Sequence, residues 1–236
     1  MNISDTLHCL RRFWHDAFSR GKVLTTLIVA SNIAVFLLEL LWHYYYHSGW
    51  FHDTFAISRQ GLAEGHYWQL LSYAWIHYET RIVFGIPIHI TWNMMMIYIL
   101  GRQLELPLGP VPYLILYIGS VLAAMGFWFL LCPRLLDSNS QWSACGASGA
   151  LYGLVGAFGF IDPKRVLRVS VMFGLHLQMS TQTLALLLIG IEVLCQVRGW
   201  MPDVCHLAHL GGALFGLIFI LIWKQWPFHH SRVEPL

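Results

Sequence analysis

The sequence predicts an all-α polytopic membrane protein, a bundle of six transmembrane helices with a long interfacial first loop. Two observations predict that class. Hydrophobic residues make up 57% of the 236-residue chain and charged residues only 11%, against about 25% charged in ordinary soluble domains. Apolar runs of transmembrane length recur from end to end, as integral membrane proteins require. The formal net charge is +2 and there is no long basic tract, so the expected partner is the lipid bilayer and not nucleic acid.

The elements follow in order. After Arg11, Arg12, Arg20 and Lys22, an apolar run extends from about Val23 to Trp42. It is longer than a signal-peptide core and no small-residue cleavage site follows, so it reads as a retained first span at about 23–44. The second span is expected at about 87–105, ending near Gly101 and Glu105, and the third at about 111–131, between Pro110 and Pro133. The fourth is expected at about 146–161, stopped by Asp162 and Pro163, the fifth at about 178–197 and the sixth at about 206–224. These divide the chain into a short cytoplasmic segment (1–22), one six-helix membrane domain (23–224) and a cytoplasmic tail (225–236).

Lys and Arg sort the faces. With the N-terminus inside, the inner segments hold ten: Arg11, Arg12, Arg20, Lys22, Arg102, Lys164, Arg165, Arg168, Lys224 and Arg232. The outer segments hold four: Arg59, Arg81, Arg134 and Arg198. That asymmetry puts both termini in the cytoplasm. With no transit-like or vesicular targeting segment, the expected location is a bacterial plasma membrane.

Two departures from a plain bundle are visible. The outer segment from about 45 to 86 is dense in aromatics (Trp50, Phe51, Phe55, Tyr67, Trp68, Trp75 and Tyr78) and poor in charge, which suits a segment lying in the interface. The fourth span rises only roughly 24 Å, less than the roughly 30 Å hydrocarbon core. A polar stretch from Asp137 to Ser143 precedes it. Irregular polar backbone at membrane depth must line protein or water, so Ser148 is expected at the floor of a water-filled cavity open to the outside.

Ser148 begins a helix, where free N–H groups and the macrodipole favour a developing anion. It sits among Gly146, Gly149 and Gly153, which leave its hydroxyl open to approach. A serine packed between membrane helices has the same local sequence, so the short pattern alone does not decide. His209 changes the balance: Gly212 and Gly216 share its helix face, as Gly149, Gly153 and Gly156 share one face of the fourth helix. If those small-residue faces meet, Ser148 and His209 stand at matching depth and a neutral imidazole can take the hydroxyl proton. Tyr152, one turn below Ser148, is placed to stack on His209. His89 and Asn93 lie at i, i+4 on one face at the outer end of the second helix. They either donate hydrogen bonds to an oxyanion or anchor the helix near water.

Other polar residues are assigned no chemistry. No Asp or Glu stands out as an orienting third residue. Asp203 reads as solvated loop, and Glu39 and Glu192 as interfacial. Cys9, Cys132, Cys145, Cys195 and Cys205 show neither zinc-knuckle nor disulfide spacing; one bridge among Cys132, Cys145 and Cys205 remains open, against the plainer reading as small apolar residues. Thirteen histidines raise metal or haem binding, with His206 and His209 at i, i+3 and a tail pair His229-His230. Third and fourth ligands cannot be nominated, however, and there is no HExxH or P-loop. The expectation is no metal and no cofactor.

With these motifs in view, the chain resembles the rhomboid intramembrane serine proteases. The pattern GxSG at 146–149 with Tyr152, His209 with Gly212 and Gly216, and His89 with Asn93 occur in rhomboid order. Gly101, Glu105 and Gly109 add a GxxxExxxG element. The resemblance covers the six-helix core and implies Ser148 as nucleophile and His209 as general base, a dyad without a carboxylate. It implies an oxyanion hole from His89, Asn93 and the backbone N–H of Ser148, with Tyr152 supporting His209. The substrates would be transmembrane proteins, cut through an acyl-enzyme in or beside a span that unwinds easily near the outer face. A catalytically silent relative that binds membrane clients is the other reading; such relatives have typically lost the serine or histidine. One departure stands out: the family's Trp-Arg pair in the first loop is here Trp68-Gln69, which bears on loop anchoring and not on the chemistry.

Overall fold

The computed structural model describes residues 23–77, 82–83, 86–132, 142–170 and 176–225. The segments 1–22 and 226–236, Tyr78, Arg81, Arg134, the polar run from Asp137 to Gln141 and the pair His229-His230 lie outside the described residues. Apolar helices dominate what is described. The first, α1 (Val23–Tyr46), is followed by three short helices of the first loop: α2 (Trp50–Phe55), α3 (Arg59–Ala63) and α4 (Gln69–Ser72). Then come α5 (Ile88–Leu108), α6 (Pro110–Leu131), α7 (Ser148–Ile161), α8 (Thr181–Arg198) and α9 (His206–Lys224). All six expected spans are therefore helices, and the all-α membrane bundle expected from sequence is the fold observed.

Four of the six, α1, α6, α8 and α9, are long and apolar enough by themselves to cross a membrane. The other two deviate for identifiable reasons. Helix α5 carries His89, Asn93, Arg102 and Glu105, and Asn93 and Glu105 are buried inside the bundle. Helix α7 has 14 residues and rises only about 21 Å. It is sheltered on every side, packing on α9, α6, α5 and α8. A helix so enclosed can be short, because neighbouring helices and not lipid surround it. Outward faces such as Leu37, Leu38 and Leu41 on α1 and Leu186 and Leu187 on α8 are exposed, as lipid-facing side chains should be.

Helix α7 is close to its neighbours because its glycines leave room. A Cβ at Gly216 of α9 would overlap the carbonyl oxygen of Gly153, and one at Gly212 would overlap that of Gly149. The glycine face of α7 is shared, however: Cβ atoms at Gly149 and Gly153 would run into Ala124 and Ser120 of α6. The stripe thus serves two helix pairs where the sequence suggested one.

Short strands supply the exceptions to an all-helical chain. Ile57 and Ser58 (β1) pair antiparallel with Ala144 and Ser143 (β4). This ties the first loop to the segment just before Ser148. Ile82–Val83 (β2) pairs with Ile86–Pro87 (β3). Between α7 and α8, Val166–Ser170 (β5) and His176–Ser180 (β6) form an antiparallel ladder. The fifth span consequently starts at Thr181, not near 178, with the Ser180 hydroxyl accepting from Thr183 N as its cap.

Candidate active site

The turn that carries Ser148 is held by the first loop. Gly146 holds φ +114°, a region that only glycine enters easily, and a Cβ there would press on the His89 ring. Its N–H donates to the Tyr73 carbonyl at 2.9 Å. The next N–H, of Ala147, donates to His77 Nε2 at 3.3 Å. His77 in turn has its own N–H on Glu39 Oε2 at 3.2 Å. Tyr73 is fixed by donating from its hydroxyl to the Val121 carbonyl at 2.7 Å. The first loop is therefore the platform on which the Ser148 turn rests. His77 and Tyr73 were not singled out from sequence, since neither sits in a motif.

Ser148 opens α7 and is half-buried at the floor of a cavity of about 480 Å³. His209 belongs to the first turn of α9 and is 8% exposed. Its Nε2 stands 2.8 Å from Ser148 Oγ. Tyr152 lies parallel over the imidazole, with ring centroids 4.4 Å apart and planes 11° apart. His89 and Asn93 line the same cavity from α5, where Asn93 is buried and its Oδ1 has no hydrogen-bond partner. Of the residues singled out from sequence, Ser148, His209, Tyr152, His89 and Asn93 thus share one cavity, with Gly146 and Gly149 in its lining; Gly212 lies outside that lining and packs against the Gly149 carbonyl.

Two carboxylates need correction. Glu39 and Glu192 were expected at the interface, but they are 7% and 6% exposed. Glu39 supports the His77 backbone as described. Glu192 is in the site itself: Oε2 lies 2.6 Å from His206 Nδ1 and 2.9 Å from His209 Nδ1, and Oε1 accepts from the Tyr152 hydroxyl. The approach of Glu192 to His209 is oblique, so that Nδ1 has no well-angled hydrogen bond. His206 Nε2 meets the Trp200 carbonyl at 2.9 Å. A usable signal for Glu192 was present. A carboxylate in an apolar span is costly and functional by default, and it lies seven residues before Gly199 while His206 lies seven after it. The α8–α9 hairpin brings the two to one depth.

Glu192, His206 and His209 are the described residues whose donor atoms could surround a metal ion, all within 4.8 Å of one another. Their shortest separations are hydrogen-bond distances. Two ligands of one tetrahedral zinc, each about 2.0–2.1 Å from it, would stand roughly 3.3 Å apart.

The remaining expectations fall into place around the site. Asp203 is exposed at the cavity rim. Cys132 and Cys205 are not bridged, and burial, then the neighbouring Cys132, pushes the Cys205 thiol up to about 11. Gln69, which stands where the resemblance led one to expect arginine, is fully buried. Its Oε1 accepts from Ser58 N at 3.0 Å and its Nε2 donates to the Thr54 carbonyl at 3.1 Å. The polar anchoring of the first loop is retained by an amide.

Comparison with known proteins agrees with this geometry. A family model described as the Rhomboid domain matches residues 64–226. The chain is 30% identical over 183 residues to RHOMBOID-like protein 5 of Arabidopsis thaliana, covering 76% of this chain and 52% of that protein. It is also 30% identical over 172 residues to RHOMBOID-like protein 1 of the same plant, covering 71% and 38% of the two chains. Rhomboid protein 1, mitochondrial, of Saccharomyces cerevisiae matches at 30% over 135 residues, 56% of this chain and 36% of that one. The chain spans about half the length of these relatives or less. It is an integral membrane protein and belongs to the rhomboid family.

Proposed function

We propose that this chain is an intramembrane serine endopeptidase that cuts transmembrane protein substrates through Ser148 and His209. The observation that carries this reading is the 2.8 Å separation of Ser148 Oγ and His209 Nε2 at the floor of a cavity among apolar helices. In the reaction, Ser148 Oγ adds to the scissile carbonyl carbon while its proton passes to His209 Nε2. The carbonyl oxygen becomes an anion, received by His89, Asn93 and the N–H of Ser148. Collapse of that intermediate breaks the C–N bond, and His209 returns the proton to the departing amine. A water molecule, deprotonated by the same nitrogen, then hydrolyses the acyl-enzyme and restores the serine. The residues acting in these steps need no metal or cofactor.

We further read residues 23–224 as the membrane domain, with both termini on the cytoplasmic side of a bacterial plasma membrane and the cavity facing out. The distribution of Lys and Arg supports that orientation.

The test is labelling of detergent-purified protein with a fluorophosphonate probe, which reacts only with an activated serine. Wild-type protein is expected to take the label; Ser148→Ala and His209→Ala should each abolish it while the protein stays monodisperse. His89→Ala or Asn93→Ala should slow it by about 10²–10³, the usual cost of one oxyanion donor. Folded wild-type protein that takes no label would favour a silent client-binding role.

A further inference from the structure

We propose that Glu192 is a positioning residue for His209, so that the site works as a Ser148–His209–Glu192 array and not as a bare dyad. The inference rests on the proteolytic reading above, and it goes beyond the resemblance, which implies no carboxylate.

The placement of one proton on His209 is decisive. To accept the Ser148 proton, Nε2 of His209 must be unprotonated, so the single N–H of the neutral ring must be at Nδ1. The carboxylate oxygen beside that nitrogen is Glu192 Oε2, 2.9 Å away. Tyr152 cannot serve that purpose, because its ring covers the imidazole face and its hydroxyl is donated to Glu192 Oε1. When Ser148 attacks, His209 becomes an imidazolium whose positive charge lies beside the same oxygen. That contact is too oblique for a hydrogen bond in the resting site; catalytic contacts of this kind tighten as charge develops.

Glu192 is itself held. Nε2 of His206 meets a carbonyl oxygen, Trp200 O, which can only accept, so that nitrogen carries a hydrogen. Nδ1 of His206 lies 2.6 Å from Glu192 Oε2, a bond that needs one more proton between the two groups. Whichever partner holds it, the Glu192–His206 pair has no net charge. That explains how a carboxylate is tolerated in a span with only 6% exposure. With Tyr152 on Oε1 and His206 on Oε2, the carboxylate has no freedom to turn away from His209.

The experiment compares fluorophosphonate labelling of wild-type, E192Q and E192D proteins, read as the rate constant at saturating probe and the half-saturating probe concentration. E192Q preserves volume and hydrogen-bonding capacity but no longer offers a carboxylate. In the soluble serine protease triad the analogous change costs about 10⁴ in turnover; with the oblique contact here a loss of roughly tenfold or more is expected, all of it in the saturated rate. E192D, shorter but still a carboxylate, should keep more of that rate than E192Q. A purely packing role would rank the two variants the other way, because volume-conserving changes disturb a core least. An E192Q rate within twofold of wild type, a loss seen only as a higher half-saturating concentration, or E192D no better than E192Q would each overturn the proposal.

If E192Q gives no folded protein, ¹⁵N-histidine NMR of the wild-type protein decides, with His209 assigned by comparison with His209→Ala. The expected result is an Nδ1–H tautomer whose hydrogen is bonded; an Nε2–H tautomer or an unbonded Nδ1–H would overturn it. Wild-type protein that takes no label refutes proteolysis instead, and the same spectrum still judges the Glu192 contact.

Discussion

His77 is fully buried and both its ring nitrogens are committed. Nδ1 lies 3.3 Å from the Trp75 carbonyl, which can only accept, and Nε2 accepts from Ala147 N. The ring is therefore neutral in the fold. Burial, and then the His89 ring 5.2 Å away, pushes its pKa down to about 3. In the unfolded chain a histidine titrates at about 6.5. The unfolded state therefore takes up a proton first as the solution is acidified. The contribution of His77 to stability is complete above that pH and is lost as pH falls toward 3, by up to about 1.4 kcal/mol per pH unit. The thermal midpoint in detergent should drop between pH 7 and pH 5, and His77→Gln, which keeps an acceptor but cannot be protonated, should flatten that slope. An unchanged slope in the variant would place the sensitivity elsewhere among the thirteen histidines. The same residue scale explains Gln69, whose amide bonds the first loop with one donor group and one acceptor and needs no charge.

At the scale of elements, the pairing of α7 with α9 sets the distance between Ser148 and His209. The carbonyl of Gly153 occupies the space a side chain at Gly216 would need. Gly216→Ala must push the helices apart or strain both, at a cost of about 1–3 kcal/mol for overpacking. A displacement of about 1 Å at a reacting pair can cost 10²-fold in rate, so fluorophosphonate labelling should fall with the unfolding midpoint. Retention of both would mean that α9 slides without cost and that its glycines have another purpose. These elements also show what was legible in the chain. Spans, glycine faces and the depth match of Ser148 with His209 follow from local period and counting, which one sequence supplies. The strand pair of residues 57–58 with 143–144, the His77 platform and the Glu192 contact join segments far apart in the chain or face-to-face across a hairpin. No local pattern encodes those meetings, although the equal spacing of Glu192 and His206 from Gly199 hinted at one.

Across the whole molecule, α5 carries the candidate site at one end and a polar clamp at the other. At one end His89 and Asn93 face the cavity; at the other, Glu105 is 1% exposed and about 24 Å further along the helix axis. Its carboxylate accepts from the N–H groups of Leu24 and Thr25 at 2.8 and 2.9 Å, two of the orphan donors at the start of α1. The Thr25 hydroxyl donates to the Tyr113 hydroxyl at 3.0 Å, so α1, α5 and α6 are clamped at one point. Negative charge at a helix N-terminus is favourable, and hydrogen bonds to a charged group contribute about 1.5–3 kcal/mol. Glu105→Gln keeps the shape and removes the charge, so it should lower unfolding stability by roughly 1–3 kcal/mol. The labelling rate of Ser148 per folded molecule should stay within about twofold, because the clamp lies about 24 Å along α5 from His89. Unfolding in a graded denaturing detergent, run beside probe labelling at low denaturant, separates the two quantities. If labelling fell in molecules that remained folded, the bundle would be transmitting the loss along α5 to His89 and Asn93, and the two ends would have to be treated as one coupled unit.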